Sequence, residues 1–154
     1  MRAGNLTLSC RLGRRGIVHT KREGDLGTPA GSHHLRQAFF RQDRLARPNS
    51  GLPLRPLTPR DGWCDDPTSA LYNLRVRLPV AARHENLWRA DRLYDLVVTL
   101  DHNQRPRIRG HGSAIFLHVM SSAGEPTAGC VALDPSALRR LVTRLGPQTI
   151  LVIR

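Results

Sequence analysis

The sequence predicts a mainly β chain with a few helices, and three features lead there. Eleven prolines and thirteen glycines are spread along 154 residues, which cuts the chain into short elements joined by turns. The clearest apolar segment, Tyr94–Asp101, has a continuous hydrophobic centre that suits a strand buried on both faces. Helical periodicity is strong in one stretch only, at Pro135–Leu145. With 40% hydrophobic residues in a chain of this length, one core and a single domain over residues 1–154 are expected.

Taken in order, residues 6–11 and 16–21 read as two short strands around the turn Gly13-Arg14-Arg15-Gly16. Lys21 to Asp25 is a charged loop, and Thr28-Pro29-Ala30-Gly31 turns into a strand at Leu35–Phe40. Four prolines in residues 43–62 predict a loop there. Trp63 to Pro67 forms a tight acidic element followed by Tyr72-Asn73. Arg83–Ala90 reads as one or two helical turns with Leu87 and Trp88 facing inward. Ser113–Met120 is the next strand after Tyr94–Asp101, and Thr149–Ile153 is the last. Between them Asp134 suits an N-cap, Pro135 the first helical position, and Gly146 a stop, around a stripe of Leu138, Leu141, Val142 and Leu145.

The formal net charge is +12, and Lys21 is the only lysine among 24 basic residues. A surplus of that size attracts nucleic acid, an anionic membrane surface or a carboxylate-rich wall polymer. The arginines are dispersed, without a block of about five or six like charges, so the charge reads as a solvated basic surface. No nucleic-acid partner is expected. No apolar run approaches the roughly 18 residues of a membrane span. Met1 to Ser9 offers only Leu6 and Leu8 as large apolar residues beyond the initiator, too few for a secretory signal. A cytoplasmic location, a truncated start and another export route all stay open.

One stretch points to chemistry. Ala114 to Met120 is an apolar run carrying the imidazole of His118, and twelve positions later Cys130 follows Gly129. A thiol is a weak nucleophile at its ordinary pKa of about 8.5. An imidazole from an adjoining strand can take its proton and leave an ion pair. The amides of Gly129 and Cys130 are candidate donors to a developing oxyanion. A buried structural cysteine and a core histidine are the plainer alternative. Cys10 and Cys64 either pair as a disulfide or stand as two unrelated thiols. They lack CxxC spacing, so no metal site is expected.

Phe116-Leu117-His118, followed by Pro126 to Val131, resembles the catalytic motif of YkuD-type L,D-transpeptidases. Lys21-Arg22-Glu23-Gly24-Asp25, Thr28 to Gly31, Trp63 to Pro67, Tyr72-Asn73, Tyr94-Asp95 and Gly112 to Phe116 are similar to a proteobacterial branch of that domain. The likeness runs from about Leu6 to Ile153. It implies a β-sandwich acting on peptidoglycan stem peptides in the periplasm or cell envelope, with no cofactor. Cys130 would be the nucleophile, His118 the proton acceptor and donor, and Arg22, Tyr72 and Asn73 substrate contacts. The acyl-enzyme would pass to an amine of a second stem or to water. Two departures are visible: Ala128 stands where the family has histidine, and Ala132 where it often has arginine. A basic, non-catalytic module with a structural Cys130 is the rival reading.

Overall fold

A computed structural model describes residues 1–154. Fourteen strands and one α-helix follow each other along the chain. A small ribbon, β1 (Arg2–Ala3) with β2 (Leu6–Thr7), leads to β3 (Cys10–Arg11). A second ribbon pairs β4 (Ile17–Val18) with β5 (Thr28–Pro29), in parallel. Then come β6 (Gly31–Phe40), β7 (Leu54–Pro56), β8 (Asp61–Cys64), β9 (Arg75–Arg77) and β10 (His84–Asn86). The chain finishes with β11 (Leu96–Leu100), β12 (Phe116–Val119), β13 (Val131–Leu133), α1 (Pro135–Val142) and β14 (Ile150–Ile153).

The main sheet has the order β14-β6-β11-β12-β13-β3, with β7 added along β6. Its pairs are antiparallel except β12–β13 and β6–β7. A three-stranded sheet, β10-β8-β9, lies apart from it. All of β11 is buried, as its unbroken apolar centre predicts, because both faces of the main sheet are covered. On one face Leu96, Val98, Leu117, Val119, Val131 and Leu133 pack with Leu138, Leu141 and Val142 of α1. On the other, Val97 and Phe116 pack with Trp63, Leu87, Tyr94 and Cys130.

Asp134 caps α1 as read from the sequence: its Oδ1 accepts from the Ser136 amide at 2.9 Å and the Ala137 amide at 3.4 Å. The helix ends at Val142 rather than Leu145. Its last turn tightens, with the Arg144 and Leu145 amides donating to the carbonyls of Leu141 and Val142. Leu145 stays buried all the same.

Three local readings are corrected. The Pro-rich 43–62 segment contains β7 and the start of β8. Pro56 is accommodated because β7 pairs only along β6, and a free edge does not need the missing N–H. Arg83–Ala90 holds β10 rather than helical turns, since His84–Asn86 finds an open edge on β8. Leu87 is buried as expected, but Trp88 lies partly exposed under the Arg41 guanidinium, 3.5 Å from its ring centre. The strand expected from Ser113 begins only at Phe116, because Ala114 adopts a left-handed φ of 52°. All three cysteines are free; Cys10 sits in the main sheet and Cys64 in the small one.

Candidate active site

Strand alternation brings the thiol and the imidazole together. In β12, Leu117 and Val119 point to the helix-covered face, so Phe116 and His118 point to the opposite one. In β13, Val131 and Leu133 face the helix, so Ala132 and the preceding Cys130 share the face of His118. The parallel register sets His118 beside Ala132. Continued one step back, it sets Cys130 near Phe116. A two-residue offset across one strand spacing separates the Cα atoms of His118 and Cys130 by roughly 8 Å. Both residues line a cleft of about 580 Å³ together with Lys21, Glu85, Tyr94 and Ala132.

The imidazole is held in a defined tautomer. Its Nδ1 lies 2.8 Å from the Val119 carbonyl oxygen, which can only accept. Nδ1 therefore carries the proton and Nε2 keeps its lone pair. Tyr94 packs edge-on against the ring at 5.4 Å between centroids. Burial holds the His118 pKa below its ordinary value, so the ring is neutral at neutral pH.

The thiol is also neutral at rest. Cys130 is 9% exposed. Its Sγ donates to the Ala114 carbonyl at 3.2 Å and accepts from the Phe116 amide at 3.4 Å. Burial, and secondarily the charge of Glu85, push its pKa up to about 12, while the Phe116 amide and the Lys21 charge pull the other way. Both shifts disfavour the thiolate–imidazolium pair expected from the sequence. Thiol and imidazole share the cleft, each held by backbone groups of its own.

Thr127 organises the loop before Cys130. Its hydroxyl donates to the Cys130 carbonyl at 2.7 Å and accepts from the Gly129 amide at 3.1 Å. Of the two amides read from the sequence as oxyanion donors, that of Gly129 is thus occupied, and that of Cys130 makes no hydrogen bond. Gly129 has a φ of 140°, and a Cβ there would lie 2.8 Å from the Gly27 carbonyl oxygen, so only glycine fits.

The other residues singled out by resemblance sit outside the cleft lining. The Arg22 side chain is exposed; its backbone contributes instead, with the amide donating to Asp25 Oδ2 at 2.7 Å. Tyr72 is buried, and its hydroxyl donates to Glu23 Oε2 at 2.5 Å. Glu23, which also accepts from Ser113 Oγ at 2.8 Å, does line the cleft. Burial first, then the Glu23 partner, raises the Tyr72 pKa.

Asn73 is a structural node. Its Oδ1 accepts from Trp63 Nε1 at 2.9 Å and from the Ala114 amide at 3.2 Å. Its Nδ2 donates to the carbonyls of His102 and Asn103 at 3.0 and 2.9 Å. Through Ala114 it fixes the carbonyl that holds the Cys130 thiol. Asn73→Ala strands these buried groups and is expected to cost roughly 2–4 kcal/mol, measured as a drop in the urea unfolding free energy.

Two cleft residues, Glu85 and Lys21, were not picked out from the sequence alone. Glu85 accepts from the Tyr94 hydroxyl at 2.6 Å and lies 3.6 Å from Arg89. Burial holds its pKa above the ordinary carboxyl value despite the Tyr94 bond and the Arg89 charge. Nothing in the sequence around His84–Asn86 signals this role. Lys21 is buried and paired with Asp25. Its standing as the sole lysine was a signal that the charge count alone did not interpret.

No curated protein and no solved structure matches the chain. The family of L,D-transpeptidase catalytic domains, YkuD, matches residues 1–153. With that match across its length and a mainly β fold, the chain belongs to the YkuD family of L,D-transpeptidase catalytic domains.

Proposed function

We propose that the protein transfers acyl groups of peptidoglycan stem peptides through a thioester on Cys130, in the cell envelope, with no cofactor. The observation that carries this reading is the shared cleft face of β12 and β13, to which His118 and Cys130 both belong. As a stem carbonyl enters, Sγ exchanges its bond to Ala114 for the carbonyl carbon and its proton passes to His118 Nε2. The protonated ring then gives that proton to the amine of the departing terminal residue. A second amine, or water, releases the acyl group by the same steps in reverse.

Hydrolysis is the second outcome with a specific observation behind it. Ala128 and Ala132 both line the cleft, and Ala132 lies beside His118 in the register. Two short side chains there put no bulky or charged group beside the buried imidazole, so a water that enters the cleft meets no competing side chain.

The test is release of terminal D-alanine from a tetrapeptide stem. The wild-type chain should release it and Cys130→Ala should not, with an unchanged thermal midpoint. Equal release by both would refute the reading. A basic non-catalytic module predicts instead that stem or polymer binding survives in Cys130→Ala and no release occurs in either protein.

A further inference from the structure

Of the three cations that line the cleft, Lys21, Arg83 and Arg89, only Lys21 is buried, and the reaction above does not use it. Lys21 is 8% exposed. Its ammonium donates to the Arg22 carbonyl at 2.9 Å and to the Asp25 carboxylate. An ammonium carries three donors, so one N–H of Lys21 has no protein acceptor.

Its surroundings aim it at the nucleophile loop. Asp25, which holds it, also accepts from the Arg22 amide and from the Gly27 amide at 2.9 Å. Gly27 in turn lies against Gly129, through the 2.8 Å approach of its carbonyl oxygen to the space over Gly129. Lys21 Nζ is itself 3.6 Å from where a Cβ on Gly129 would be. On the other side Gly112, with a φ of 89°, clears the stem: a Cβ there would meet Lys21 Cγ at 2.7 Å. The Lys21 side chain thus runs past Gly112 along its stem and ends with its ammonium beside Gly129, the residue that precedes Cys130.

An oxyanion formed at Cys130 needs donors that are free at that moment. The Gly129 amide is tied to Thr127, whereas the Cys130 amide is free.

We propose that the Lys21 ammonium and the Cys130 amide form the donor pair that holds the oxyanion of the tetrahedral intermediate, in place of the Gly129 amide. The assignment rests on the reading that Cys130 attacks a carbonyl. When the Sγ–C bond forms, the carbonyl π pair moves onto oxygen, and the thiol proton is on His118. That new charge meets the free N–H of Lys21. Collapse restores the C=O bond, breaks the C–N bond and sends the proton from His118 to the leaving amine. Lys21 takes no proton in this sequence; it supplies charge where charge develops.

Two electrophiles separate an oxyanion donor from a residue that only supports the thiol. A tetrapeptide stem acylates sulfur through an oxyanion, whereas iodoacetamide alkylates it without one. For Lys21→Met, acylation of Cys130 should fall by about 10²–10³-fold. Alkylation should fall far less, so the ratio of the two rates drops at least tenfold. The double variant Lys21→Met/Asp25→Asn removes the ion pair as a unit and should show the same ratio, so a stranded carboxylate does not stand in for the effect. A ratio equal to wild type in both variants overturns the assignment, whether the two rates fall together or not at all. If the wild-type chain takes no acyl group from the stem, the reading of the site itself fails, which is a different result.

Discussion

Replacing His118 by alanine will slow acylation of Cys130 by roughly 10²–10⁴-fold, in a single-turnover assay with a stem peptide. The effect is large because the thiol needs a base to lose its proton at neutral pH, and His118 is the imidazole on the same cleft face as Cys130. The thiol sits at about 12, so almost none of it is ionised. The nearest carboxylate among the cleft residues that touch this network, Glu85, opposes ionisation of the sulfur rather than assisting it. His118 presents a basic nitrogen, Nε2, because Nδ1–H is held by Val119.

The pH profile carries a second signature. Burial disfavours the imidazolium, so the acid limb of acylation should lie below the ordinary imidazole value of 6.5. It should vanish in His118→Ala. Stability follows the same sign. The folded ring binds a proton less readily than the unfolded one, so its contribution is intact above 6.5 and is lost as the pH falls below that value. His118→Gln should therefore flatten the fall in the urea midpoint between neutral and mildly acidic pH. An acid limb unchanged in either variant would contradict the assignment of His118 as the base.

Gly129→Ala is the second large effect: about 2–4 kcal/mol of stability and at least about 10²-fold in acylation. Two costs coincide at this position. An L side chain is strained at a φ of 140°, and its Cβ would lie 2.8 Å from a backbone oxygen of Gly27, which cannot rotate away. The loop must shift, and Cys130 shifts with it. Gly124→Ala is the control. Its φ is 67°, yet the nearest atom to a Cβ there is the Arg11 guanidinium at 3.7 Å. It should cost only the backbone strain of about 1–2 kcal/mol and leave acylation near wild type. Denaturant titration and the acylation rate, measured on both variants, check the contrast.

The parts of the molecule legible in sequence were those governed by local rules. Asp134, Pro135 and the Leu138–Leu141–Val142 stripe announced α1 because capping and periodicity are properties of a few adjacent residues. The unbroken apolar run of β11 announced a strand covered on both faces. The cleft partners His118 and Cys130 could be named because they lie in segments joined by one short connection. What failed was decided across the chain. His84–Asn86 became a strand because β8 offered an edge, and Leu54–Pro56 because β6 did; neither edge is visible from the local sequence. The neutral state of Cys130 follows from Ala114, Phe116 and Glu85 closing around the sulfur, residues as far as forty-five positions away. Tyr72 and Asn73 were read as substrate contacts by resemblance, yet they lie behind the cleft wall and hold Glu23 and Ala114 in place.

The most direct measurement is the mass of the intact chain after exposure to a tetrapeptide stem, followed by peptide mapping of the adduct. The account predicts one acyl group, the stem without its terminal residue, carried on Cys130 and missing from Cys130→Ala. An acyl group carried on any other residue, or none at all while D-alanine is still released, would contradict it.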